Sequence, residues 1–193
     1  MTMRALRPLS AAVGATLLGG FAVGISPTFA DDDRNFRARL TGFEEVHFIP
    51  GPPPALRGAV STKARGSFKA TVDRRSKSIR YELRYDGLEG QVTQAHIHFG
   101  QHHTVGGIVV WLCQTTGTPA PAAVAAATPF CPQSGEVSGQ IFPNQVLTVT
   151  GQGIEAGQFD ELLAAIRSGV TYANVHSTLF PPGEIRGQIK DDD

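Results

Sequence analysis

The chain has 193 residues, and its 17 basic and 17 acidic residues give a formal net charge of zero at pH 7. Nucleic acids and anionic membrane surfaces bind proteins through basic patches, so this balance argues against both classes of partner. The length suits one domain of ordinary size, and it is sufficient to bury a hydrophobic core.

The first thirty residues, 1–30, have the pattern of a cleavable secretory signal peptide. Arg4 and Arg7 make a basic start, an apolar stretch covers residues 11–25, and a small-residue site ends at Ala30, where we predict cleavage. A membrane anchor is the alternative, but the apolar stretch is shorter than the roughly 20 residues that span a bilayer and contains several glycines. The pattern predicts a secreted or periplasmic protein without a membrane span after cleavage.

After the signal, apolar and polar residues alternate with period two, which is typical of half-buried antiparallel strands. Phe68, Ala70 and Val72, for example, share one face of a single predicted strand. The predicted strands cover residues 37–45, 67–72, 79–85, 91–99, 107–113, 135–142, 145–150, 171–179 and 184–190. About eight or nine strands separated by turn residues predict an all-β, antiparallel, Greek-key-like sandwich or barrel. We expect this domain to cover residues 36–190, between a disordered acidic start at 31–35 and an acidic tail at 191–193.

One segment, residues 157–168, departs from period two and predicts an amphipathic helix. Its apolar residues fall at positions i, i+3, i+4 and i+7, which lie on one helix face: Phe159, Leu162, Leu163 and Ile166. Gly169 follows as a glycine C-cap. We expect the apolar stripe to pack on the sheet or over a barrel end.

The two cysteines, Cys113 and Cys131, would meet an oxidising compartment after export, so we predict that they form a disulfide. Thiolate ligation of a metal is the alternative, but metal-binding cysteines usually stand two to four residues apart. The disulfide would close an Ala/Pro-rich loop insertion at residues 115–129. Because its stretch 120–127 has no large side chain, we expect the insertion to be a flexible connector.

Three histidines on two predicted strands are the candidate metal ligands. His96 and His98 are two residues apart, so both point away from the apolar face of their strand, and His176 likewise lies on the polar face of a later strand. We expect the three to form one site on the outer face of the β-structure. Three histidines with an open position are typical of catalytic zinc and of several copper sites. The alternative is a group of surface histidines with no ligand.

Other polar residues near these strands have less defined roles. His102 and His103 follow the histidine pair in a glycine-rich loop and are either accessory ligands or, as we prefer, solvated loop residues. Arg186 could lie near the site as a group that attracts anions, and the alternative for Glu184 and Arg186 is a strand-end ion pair. His47 has no visible partner. No nucleotide-binding glycine motif, nucleophile elbow or catalytic carboxylate pair is present, so enzymatic activity stays open.

Several ordered segments also resemble one protein family. They are residues 40–46 (LTGFEEV), 92–100 (VTQAHIHFG) with 106–110 (GGIVV), 172–176 (YANVH) and 182–189 (PGEIRGQI). Together they resemble the CHRD domain, first described as a repeat of the developmental protein chordin and common in bacteria as a lone exported domain. The resemblance spans about residues 36–190. It implies an all-β exported domain and, from the context of chordin, an extracellular protein or matrix partner.

A local resemblance concerns the chemistry of the histidines. The pattern of His96 and His98 before a glycine-rich loop, with His176 on a later strand, is similar to the copper ligands of copper/zinc superoxide dismutase. The zinc half of that site, with its bridging histidine and aspartate, has no counterpart, so dismutase-like redox activity is not favoured. Two hypotheses therefore stand: an exported module that binds copper or zinc, with copper preferred, and a non-catalytic extracellular interaction domain without metal.

Overall fold

The structure is a computed structural model that describes residues 34–49 and 56–192. The strands and helices of these residues are β1 Asn35–Thr41, β2 His47–Ile49, β3 Leu56–Gly58, β4 Arg65–Asp73, β5 Ser78–Asp86, β6 Val92–Phe99, β7 Gly107–Cys113, α1 Ala122–Ala125, β8 Gly135–Ile141, α2 Phe159–Arg167, β9 Thr171–Ser177, β10 Ile185–Gln188 and β11 Lys190–Asp191. The predicted signal, residues 1–30, lies outside the described residues. In the described part of the chain, no helix has the length and apolar content that a bilayer span requires.

The main strands form one antiparallel sheet in the order β7-β6-β9-β10-β1-β4-β5-β8, with β11 also paired to β1. β2 and β3 make a separate two-stranded sheet. The two end strands, β7 and β8, approach each other, so the sheet is a nearly closed barrel. Because β9 returns to lie beside β6 after β7 and β8, the connections are those of a Greek key. The all-β prediction is confirmed.

Strand alternation fills the barrel interior with the apolar residues that the sequence pattern assigns to it. Leu40, Phe68 and Leu83 are among the side chains with at most 1% exposure. Tyr81 also points inward, and its hydroxyl donates to the Leu112 carbonyl oxygen at 2.6 Å, from β5 across to β7. A buried tyrosine needs such a partner, and this one connects strands on the two sides of the barrel opening.

The predicted helix is confirmed as α2, and its whole apolar stripe is buried in the core. The helix ends in a Schellman motif: the Gly169 N–H donates to the Ile166 carbonyl, and the Val170 N–H donates to that of Ala165. Gly169 adopts φ +66°, the left-handed conformation that this motif requires and that glycine accepts without strain. The local pattern thus determines both the buried face and the end of the helix.

We expect Leu163→Ala to lower the free energy of unfolding by about 2 to 5 kcal/mol, because a buried leucine side chain would leave a cavity. Leu163 is 4% exposed and belongs to the barrel core. Glu161→Ala, an exposed change on the same helix, is the control and should cost under about 1 kcal/mol. Urea denaturation of both variants measures the difference. Equal unfolding midpoints for the two would contradict the packing role of α2.

Two predicted strands differ from the structure. The first ends at Thr41 rather than residue 45, because the Gly42 carbonyl accepts the N–H groups of Glu45 and Val60 and turns the chain into a 3-10 turn. Val60 approaches so closely that a Cβ at Gly42 would collide with its carbonyl oxygen. The predicted strand 145–150 is wrong. A 3-10 turn over Pro143–Gln145 occupies the start of this segment, and the segment's one β-bridge is an isolated one between Val149 and Ile154.

The predicted disulfide is confirmed, since Cys113 and Cys131 are bonded to each other. The insertion that it closes is more than the connector we expected. α1 forms within it, and Val124, 2% exposed, packs against Trp111 of β7. The Gln114 side chain donates to two carbonyls of the insertion, those of Ala125 and Thr128. Small side chains such as alanine and valine are sufficient to pack the insertion against the barrel, because the large Trp111 ring supplies the other side of the contact.

Candidate metal centre

The pairing of β6 with β9 brings the three predicted histidines together. His96 lies opposite Asn174, and His98 lies opposite Tyr172, so His176 is diagonal to His96 on the same sheet face. The ring centroids of His176 are 4.9 Å from His96 and 6.0 Å from His98. One potential ligand atom from each histidine lies within 4.8 Å of the other two. These residues therefore form one cluster, which we call the histidine cluster.

The cluster is buried, which the strand pattern did not indicate. His96, His98 and His176 point away from the barrel core as expected, yet their exposed fractions are 0%, 7% and 5%. The histidines have so little exposure because a second layer of the protein covers this outer face. This layer consists of the loop around Gly106, the turn around Pro181 and the side chain of Trp111.

Backbone carbonyls orient two of the rings. His98 Nδ1 lies 3.0 Å from the Gly106 oxygen, and His176 Nδ1 lies 2.9 Å from the Pro181 oxygen. Because a carbonyl can only accept, both rings carry their proton on Nδ1 and have a lone pair on Nε2. His96 Nδ1 is 3.1 Å from His176 Nε2 and donates to it. The Nε2 atoms of His96 and His98 are buried and have no hydrogen-bond partner.

The electrostatic surroundings hold all three rings neutral. Burial lowers the pKa of His98 to about 3 and that of His176 to about 4. The pKa of His96 is lowered well below 6.5, first by burial and then by the two neighbouring histidines. A neutral imidazole is the form that binds a metal, so at pH 7 the cluster has the protonation state of a ligand set.

Aromatic side chains form the walls of the cluster. The Trp111 ring packs edge-on against His96 at 4.3 Å between centroids, and Tyr172 stacks parallel on His98 at 4.7 Å. The guanidinium carbon of Arg186 is 3.4 Å from the Tyr172 ring centroid. Arg186 therefore lies one aromatic ring away from His98, and it stacks in the geometry of a cation–π contact.

Some of these neighbours were missed at the sequence level. Asn174 lies on the histidine face of β9, where its Nδ2 donates to the Glu45 carboxylate and to the Ile185 carbonyl oxygen. Burial raises the pKa of Glu45 to about 8 despite the Arg186 charge and the Asn174 hydrogen bond. Period two already assigned Asn174 to this face. Glu45 and Trp111 gave no such signal, because their contacts join segments that are distant in the chain.

The loop histidines lie outside the cluster. His102 and His103 are exposed, as we preferred, and His102 Nε2 lies 2.8 Å from the Glu44 carboxylate. His47, for which the sequence showed no partner, is bonded through Nε2 to the Gly183 carbonyl oxygen at 2.6 Å.

The alternative of an ion pair between Glu184 and Arg186 does not hold in the structure, because each residue has other partners. The Glu184 carboxylate accepts from the Thr62 hydroxyl at 2.8 Å and from the Glu89 N–H at 2.7 Å. Arg186 donates to the carbonyl oxygens of Thr104 at 2.7 Å and Gln101 at 3.1 Å. Through these two hydrogen bonds, Arg186 holds the loop of residues 100–106 over the sheet face that carries the histidines.

Comparison with known proteins supports the resemblance seen in the sequence. The family model of the CHRD domain matches residues 36–189, which include every strand that contributes to the histidine cluster. No curated protein and no solved structure matches the chain. CHRD domains are generally extracellular. A match over nearly all the described residues, together with the all-β barrel, shows that the chain belongs to the CHRD-domain family.

Proposed function

We propose that this chain is an exported CHRD-domain protein that binds one copper or zinc ion through His96, His98 and His176. The observation that carries the proposal is the pair of buried Nε2 atoms of His96 and His98 that have no hydrogen-bond partner. A buried hydrogen-bond acceptor without a partner lowers the folding stability by about 1 to 3 kcal/mol, whereas an apolar side chain of similar size would carry no such desolvation penalty. A metal ion would satisfy both nitrogens.

The spacing of the cluster suits one ion. Imidazole nitrogens lie about 2.0 to 2.1 Å from zinc, so two ligands of a tetrahedral ion are roughly 3.4 Å apart. One potential ligand atom from each of the three histidines lies within 4.8 Å of the other two. Small rotations of the imidazole rings would bring the three ligand nitrogens to equal distances from one ion. Three protein ligands leave one coordination position for an exogenous group.

The surroundings supply the outer-shell contacts that metal ligands usually have. The Gly106 and Pro181 carbonyl oxygens accept from Nδ1 of His98 and His176, and ligand histidines in metal sites usually donate their other ring N–H to such an acceptor. The cover over the rings favours holding or transferring an ion over turnover of a large substrate. We therefore propose metal handling outside the cytoplasm.

Metal titration of protein purified without a histidine tag tests the proposal. The chain has one tryptophan, and Trp111 packs against His96, so its fluorescence reports on the cluster. We expect copper or zinc to bind with one-to-one stoichiometry and to change that fluorescence. A variant with His102→Ala and His103→Ala should show the same stoichiometry and fluorescence change as the wild type, because both residues lie outside the cluster. Absence of binding at micromolar metal would contradict the proposal and leave the metal-free interaction domain as the better hypothesis.

A further inference from the structure

We infer that the histidine cluster is selective for monovalent copper, Cu(I), over divalent cations, an inference that rests on the proposed metal-binding function. It follows from the charges around the cluster. The ligand set contains only neutral imidazoles, and the positive guanidinium of Arg186 stacks on Tyr172, the ring that itself stacks on His98.

No carboxylate joins the ligand set among residues 34–49 and 56–192. Glu45 comes nearest, through Asn174, and its carboxyl is buried and bonded to that amide rather than to a histidine. With its pKa raised to about 8 by burial, it is mostly uncharged at pH 7. Glu184 accepts from Thr62 and Glu89 through Oε1 and has a buried Oε2 without a partner among the described residues, and neither oxygen belongs to the ligand group. The cluster therefore offers no anion to neutralise a divalent ion.

Arg186 adds a positive charge, and Glu45 and Glu44 act on it electrostatically without forming an ion pair with it in the described part of the chain. Its hydrogen bonds go to the neutral carbonyls of Thr104 and Gln101, and within the described residues it makes no ion pair. The two stacking distances, 3.4 Å to Tyr172 and 4.7 Å from Tyr172 to His98, place the guanidinium at most about 8 Å from the His98 ring centroid. A cation in the cluster would meet this charge across the Tyr172 ring.

These charges penalise a divalent ion more than a monovalent one. The cost of moving an ion from water into a buried site grows with the square of its charge, and the repulsion by Arg186 grows in proportion to that charge. Divalent zinc in a three-histidine site usually gains compensation from a bound hydroxide, whereas Trp111 and the covering loops here restrict water. Imidazole nitrogens suit copper, and three of them are sufficient for monovalent copper without an anionic ligand.

Competition titrations of the tag-free chain test this selectivity. Cu(I) is measured anaerobically against bicinchoninate, and Cu(II) and Zn(II) are measured against chelators of known affinity. We expect Cu(I) to bind at least about a hundredfold more tightly than Zn(II), and more tightly than Cu(II). Zn(II) or Cu(II) binding as tightly as Cu(I) would overturn the inference and leave the proposed function intact. Absence of binding by all three ions would overturn both.

Two variants test whether the Arg186 charge contributes. Arg186→Met removes the charge and keeps a long apolar side chain, whereas Arg186→Lys keeps the charge. At about 8 Å and an effective dielectric constant of about 20, Arg186→Met should narrow the Cu(I)/Zn(II) affinity ratio by about tenfold or more. Arg186→Lys should preserve the ratio. A purely structural role predicts that both variants weaken all ions alike, which would contradict the contribution of the charge. If Arg186→Met does not fold, the wild-type affinities decide alone.

Discussion

Replacing any one of the three cluster histidines with leucine is expected to weaken metal binding by more than a hundredfold. Loss of an outer-shell partner already costs 10–100-fold in typical metal sites, and these residues are the proposed ligands themselves. Leucine is the suitable substitution because His96, His98 and His176 are buried, and alanine would add a cavity to the effect. Competition titration with copper and zinc measures each affinity.

The matched control is His102→Leu, which changes an exposed histidine near the same face. Its metal affinity should equal that of the wild type. The metal-free unfolding free energy should move by under about 2 kcal/mol in His98→Leu, because the loss of the hydrogen bond to the Gly106 carbonyl is partly offset by the removal of the unpartnered Nε2, and leucine leaves no large cavity. Unchanged metal affinity in two or more of the three leucine variants would show that the cluster is not the binding site.

The metal-free protein is expected to lose stability as the pH falls from about 6.5 to 5. His98 and His176 have folded pKa values of about 3 and about 4, both below the 6.5 of an unfolded histidine. Between these values the unfolded chain binds more protons, so the free energy of unfolding falls with pH. Each of the two histidines should remove about 2 kcal/mol by pH 5, and His96 acts in the same direction.

Glu45 acts in the opposite direction over the same interval. Its folded pKa of about 8 lies above the 4.5 of an ordinary glutamate, so the stability it contributes is present at low pH and is lost as the pH rises through 8. Glu45→Gln should therefore steepen the loss of stability on acidification. A variant with leucine at all three cluster positions should lose little stability on acidification, because it lacks the titrating histidines. Urea denaturation at pH 7, 6 and 5 measures these slopes, and a flat or rising unfolding free energy for the metal-free wild type would contradict the assignment.

The local patterns of the sequence were sufficient for the elements and for the side of each strand. Period two assigned His96 and His98 to one face because successive side chains of any strand alternate, whatever the rest of the fold does. The period of 3.6 placed Leu163 on the buried stripe of α2 for the same local reason, and the disulfide followed from the oxidising compartment. These features depend on residues that are close together in the chain.

The tertiary structure alone decided what covers the histidines and which charges surround them. Strand alternation indicates the face on which His176 lies, but it carries no information about the segments that pack on that face. The cover comes from distant parts of the chain: the loop around Gly106, the turn around Pro181 and the side chain of Trp111. Even the neighbourhood of β6 and β9 required the Greek-key crossover, because the chain builds two strands between them. Such contacts depend on the packing of the whole barrel, so no local period could reveal that an outward-facing cluster is buried.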